Sequence, residues 1–258
     1  MTKKMKAKKD KFSWANVKWV AGLLLWVAVS LVACQFAVIY AAAIIVELSG
    51  ASAQEVLSAP VWNTVLTAVI YALCLLLVVA VPWKLLKMKT NREELGLMGL
   101  PTWTDIGLAP VGFAAYFAAA IAVMAVVGAL LPGINWEQTQ EIGFENLFLV
   151  SDRIWAFIAL VVVAPVAEEV VFRGWLYGKV RAKVSAWVGV LAVSVLFGLM
   201  HLGFDVEALQ WNVAINIFCM SIVLCVLREI TGTIWSGIVL HMLKNGVAFY
   251  VLFIVGRL

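Results

Sequence analysis

Apolar runs of about twenty residues recur along this chain with only short polar breaks, and that recurrence limits its fold more than any motif does. A helix needs about 20 apolar residues to cross a hydrocarbon core about 30 Å thick. Within lipid, every backbone N–H and C=O must find its partner inside the protein, which leaves helices or closed barrels. The runs are too long and too evenly apolar for alternating strands, so helical spans are expected over 18–46, 60–83, 106–131, 154–178, 186–202, 208–227 and 233–255. With 64% hydrophobic residues and a mean hydropathy of +1.01, the chain has too little polar surface for a soluble domain of this size. The expected fold class is all-α: a polytopic transmembrane helix bundle of about seven spans, or eight. No nucleic-acid partner is expected, and the partner implied directly is the lipid bilayer.

Charge sets the expected orientation. Lys3, Lys4, Lys6, Lys8, Lys9 and Lys11 crowd the first residues, and the apolar stretch after them is too long for the core of a cleaved signal. An N-terminal tail over 1–17 on the cytoplasmic side then places Lys84, Lys87, Lys89 and Arg92, then Lys179, Arg181 and Lys183, and then Arg228 in inner loops. Glu47, Glu55, Glu137, Glu141, Glu145, Asp152, Asp205 and Glu207 fall outside, against Arg153 alone, as the positive-inside rule requires. The protein is expected to be integral and multi-pass, in the plasma membrane of a bacterium, with its C-terminus outside. The segment 136–150 is a candidate amphipathic helix on the outer surface. Cys34, Cys74, Cys219 and Cys225 have no metal-ligand spacing and read as packing residues.

Ionisable groups at membrane depth are costly and mark function by default. The fourth run carries Glu168-Glu169 and, four residues on, Arg173; the only two histidines, His201 and His241, also stand in apolar runs. On an α-helix Glu169 and Arg173 share a face and can pair, while Glu168 turns about 100° away and is left for chemistry. Glu168 and Glu169 lie about 15 Å from the inner end of the span, too deep to reach water by extending along it. His241 shares a face with Asn245, four residues later. Lys244 is placed on a different face from His241 and receives no catalytic role from spacing alone. His201, near the end of its span, suits a site and a hydrogen-bonded helix terminus equally well. The set can activate water and hold a developing negative charge. Glu168, His201 and His241 would be the ligands if zinc were used, but Asn and Arg are poor zinc ligands and no HExxH pair exists, so no cofactor is favoured.

Glu168-Glu169-x-x-x-Arg173, Phe197-x-x-x-His201 and His241-x-x-x-Asn245, in that order on separate spans, resemble the CAAX protease and bacteriocin-processing (CPBP, or Abi) family of intramembrane proteases. The approach Thr231-Gly232-Thr233-Ile234-Trp235 resembles that family's as well. The resemblance covers about 154–251. It divides the chain into a basic tail (1–17), N-terminal transmembrane helices (18–153) and a catalytic core on the last four spans (154–258). It implies that Glu168 and His201 activate the attacking water, that Glu169 supports the site through Arg173, and that His241 and Asn245 hold the oxyanion. It also implies a membrane-embedded or lipidated peptide or protein substrate. Members of the family have been described as metalloproteases and as metal-independent glutamate proteases; the ligand argument favours the second. A bacteriocin immunity or regulatory scaffold protein on the same fold is the alternative. Straight helices would set Glu168 about 15 Å and His201 about 22 Å from the inner ends of their spans. Tilt, an irregular start to the fifth span, or a fourth helix running past Gly178 would bring them level.

Overall fold

The computed structural model describes residues 13–136, 143–144, 147–202 and 209–255. The lysine-rich tail up to residue 12 and most of the proposed surface helix at 136–150 lie outside these residues. Among them the chain is helical: α1 (Trp14–Leu48), α2 (Ala53–Leu57), α3 (Pro60–Leu86), α4 (Trp103–Leu130), α5 (Val150–Phe157), α6 (Ala164–Glu169), α7 (Tyr177–Arg181), α8 (Ala186–Leu199), α9 (Trp211–Thr231) and α10 (Trp235–Phe253). α5, α6 and α7 are one continuous span, joined by π-helical turns at Ile158–Val163 and Val170–Leu176.

Six helices are long and apolar enough to cross a membrane: α1, α3, α4, the composite Val150–Arg181, α9 and α10. The fifth expected run, 186–202, forms α8, whose 14 residues give a length of about 21 Å, short of a full crossing. Local chemistry explains the helix ends. Pro60 opens α3 at a position where a missing N–H costs nothing, and α3 stops at Lys87 in the left-handed conformation. Thr102 and Asp105 cap each other reciprocally at the start of α4. Gly232, at φ 73°, ends α9. The fourth span runs on past Gly178 to Arg181, the extension anticipated as one of three remedies for its depth.

The chain divides into two compact units. The first comprises residues up to Leu25, Asn91–Glu141 and Phe172–Leu240. α8 packs on α9, where a Cβ on Gly198 would stand 2.8 Å from the Ala214 carbonyl oxygen, so only glycine permits this approach. α4 packs on α9 through Tyr116, whose hydroxyl donates to Asn216 Oδ1 at 2.6 Å. Polar groups at the helix ends are closed internally. Arg181 and Tyr177 share Glu229, Lys179 pairs with Glu94 at 2.6 Å, and the Arg228 guanidinium donates to the carbonyls of Glu94, Arg173 and Gly232. Buried Asp105 accepts from Thr233 and Ser236 at the start of α10.

The second unit comprises Trp26–Thr90, Ile142–Val171 and His241–Leu258. Its apolar core joins Phe144 and Leu147 to Ala156, Ala159, Val161, Phe249 and Phe253. α3 lies along the first part of the composite span, and Thr64 Oγ1 donates to the Trp155 carbonyl at 2.9 Å.

Candidate active site

Pro165 accounts for the irregular backbone that leads into Glu168-Glu169. In the first π turn the Ala164 N–H reaches back five residues to the Ala159 carbonyl. The same i→i+5 pattern would assign the Leu160 carbonyl to residue 165, and proline has no N–H to give. Asn245 of α10 fills the gap, its Nδ2 donating to the Leu160 carbonyl at 2.9 Å. One of the two amide hydrogens of Asn245 is thus committed to backbone, and the second remains available to another acceptor.

One turn along α10 from Asn245, His241 is 3% exposed and lies between the paired carboxylates. Its Nδ1 is 3.1 Å from Glu169 Oε1 and its Nε2 is 3.8 Å from Glu168 Oε2. With Glu169, itself fully buried, as the acceptor, the hydrogen sits on Nδ1 and Nε2 is turned toward Glu168. Glu168 is 9% exposed. Its other oxygen, Oε1, accepts a hydrogen bond from the hydroxyl of Tyr71 on α3. Lys244, on the same helix, lies within electrostatic reach of Glu168. Glu168, Glu169, His241 and Asn245 therefore gather in the second unit, with Tyr71 and Lys244 beside them.

Arg173 and His201 belong to the first unit and meet there on Phe197. The Arg173 guanidinium, fully buried, stands 4.2 Å from the centre of the Phe197 ring and donates to Ser221 Oγ at 2.8 Å. His201 sits two residues past the end of α8, its ring 4.6 Å from that of Phe197. Its Nδ1 donates to the Phe197 carbonyl at 2.8 Å, which assigns the hydrogen to Nδ1 and, in the neutral ring, the lone pair to Nε2. The helix-terminus bond anticipated for His201 is thus present.

Among the described residues, no group of three or more His, Cys, Asp or Glu is arranged to hold a metal ion. Within the second unit the reason is geometric. The two carboxylates face opposite nitrogens of one imidazole, so a cation on Nε2 would have Glu168 but not Glu169 as a companion ligand.

Tyr71 was missed by sequence reasoning. Its signal was a tyrosine in the middle of a span, whereas transmembrane tyrosines concentrate at the interfaces.

Residues 150–247 match the family model for type II CAAX prenyl endopeptidases, Rce1-like. No curated protein and no solved structure matches the chain. The matched segment begins at the first residue of α5 and takes in both carboxylates, both histidines, Arg173 and Asn245. Residues 150–247 thus resemble the Rce1-like domain of type II CAAX prenyl endopeptidases, within an integral multi-pass helical membrane protein.

Proposed function

We propose that the protein is an intramembrane endopeptidase of the glutamate type that hydrolyses a peptide bond in a membrane-bound or lipidated peptide. The observation that carries this reading is the placement of His241 between two buried glutamates. A carboxylate fixed on one nitrogen and a second carboxylate beyond the other is an arrangement for moving a proton and balancing charge. A binding or immunity protein on the same fold has no use for it, and no observation favours that alternative.

In this reading Glu168 takes a proton from water as the oxygen attacks the scissile carbonyl, and His201, through Nε2, helps to orient that water. The carbonyl oxygen becomes an oxyanion. His241, acting as the doubly protonated imidazolium with its Nδ1–H on Glu169, donates from Nε2–H, and Asn245 donates its remaining amide hydrogen. Collapse of the tetrahedral intermediate breaks the C–N bond, and Glu168 returns its proton to the leaving amine. Arg173 acts indirectly, through the Phe197 ring that also carries His201, besides the support for Glu169 that the family resemblance implies. No step requires a metal. The distribution of basic residues supports a cytoplasmic N-terminus in the plasma membrane of a bacterium.

The reading is tested with purified protein in proteoliposomes and a fluorogenic farnesylated peptide ending in a C-a-a-X motif. Cleavage is expected to persist in strong chelator and to fall by about 10²- to 10³-fold in His201→Ala. Loss of activity in chelator that zinc restores would instead support the metalloprotease mechanism. Full activity in a folded His201→Ala variant would remove His201 from the reaction.

A further inference from the structure

We propose that Tyr71 is a positioning residue for this reaction, its hydroxyl holding Glu168 Oε1 so that Oε2 is the oxygen offered to water and to His241. The inference rests on the reading of Glu168 as the water-activating carboxylate, but it concerns a residue outside the matched segment 150–247.

Three observations converge on it. First, the two oxygens of Glu168 have different surroundings: Oε1 accepts from the Tyr71 hydroxyl, and Oε2 lies 3.8 Å from His241 Nε2. The terminal torsion of a glutamate is broad and nearly two-fold, so an unheld carboxylate would exchange its oxygens freely. A donor on one of them stops the exchange, and hydrogen bonds to a charged oxygen are about twice as strong as neutral ones.

Second, Tyr71 follows the first residue of α3 by eleven positions, about 16 Å along the helix. At that depth a phenol hydroxyl must find a partner inside the protein, because lipid offers none. Third, its place is fixed by a separate anchor. Thr64, seven residues earlier on the same face of α3, donates to the Trp155 carbonyl at 2.9 Å, which ties α3 to the span that carries Glu168. The other charged or titratable groups beside Glu168 are His241 and Lys244 on α10 and its neighbour Glu169.

The test compares wild type, Tyr71→Phe, Glu168→Gln and Thr64→Val in the full chain, by infrared difference spectroscopy and by turnover of the farnesylated C-a-a-X peptide. The carboxylate band lost in Glu168→Gln should shift in Tyr71→Phe, and the tyrosine C–O band lost in Tyr71→Phe should shift in Glu168→Gln. Tyr71→Phe should lower kcat about tenfold with KM within about twofold of wild type. Thr64→Val, which removes the anchor but keeps the Tyr71 hydroxyl, should lower thermal stability and lower kcat less than Tyr71→Phe does. Absence of the reciprocal band shifts would overturn the contact, and an unchanged kcat in Tyr71→Phe would overturn the positioning role. Full activity in Glu168→Gln would instead sink the underlying role of Glu168, while the band shifts would still decide the Tyr71 contact.

Discussion

α1 and the composite span Val150–Arg181 have nearly the same length, 35 and 32 residues, and similar apolar character, yet they solve the membrane problem in opposite ways. α1 is regular from end to end, and only 17% of its most apolar stretch is buried within the protein; the composite span switches twice between α and π geometry, with 39% buried. A helix facing lipid must satisfy its own backbone, so it stays regular. A helix enclosed by protein can leave a carbonyl open for a neighbouring side chain, as Leu160 does for Asn245. The irregular span is also the one that carries paired carboxylates, consistent with the tendency of π turns to occur at functional sites.

The contrast yields predictions that fall in size from the enclosed span to the lipid-facing one. The largest concerns His241→Ala. Peptide cleavage should drop by about 10²- to 10³-fold with loss of an oxyanion donor, and stability should fall by about 1–3 kcal/mol as Glu169 loses its buried partner. Adding Glu169→Gln should recover part of the stability and none of the activity, which separates the two effects in a thermal melt and a rate assay.

Pro165→Ala returns an N–H to the turn that Asn245 now completes. Cleavage should fall about tenfold while thermal stability holds or rises by about 1 kcal/mol, because a regular hydrogen bond replaces a side-chain one. Unchanged activity would show that the π turn is incidental to the site. Gly198→Ala probes packing away from the carboxylates. A Cβ there meets the Ala214 carbonyl oxygen at 2.8 Å and Phe218 Cβ at 3.1 Å, so a loss of about 1–3 kcal/mol is expected. At the small end, Ile44→Val on the exposed face of α1 should change stability by less than about 0.5 kcal/mol. A larger effect would mean that α1 has a protein partner on that face.

The same contrast explains what could be read from the sequence. Spans governed by hydropathy alone, such as α1, α3 and α4, lie within a few residues of their expected limits. Glu168, Glu169, His201 and His241 stood out because ionisable groups are rare in apolar runs. Spacing of four points from Glu169 to Arg173, and the segment from Val170 is π-helical. In the folded chain Glu169 also reaches His241, 72 residues away in sequence, a contact that no local pattern encodes. Pro165 was a visible cue to irregular backbone, and Tyr71 a visible polar group at mid-span. Each becomes informative only once the tertiary partner is known, Asn245 for one and Glu168 for the other.

The central claim is that Glu168 carries the proton in peptide hydrolysis. The most direct measurement is single-turnover cleavage of the farnesylated C-a-a-X peptide by purified Glu168→Gln beside wild type, with peptide binding measured in parallel. Wild type should cleave, and the variant should bind the peptide with similar affinity but cleave it at least about 10³-fold more slowly. Cleavage by Glu168→Gln at the wild-type rate would contradict the account.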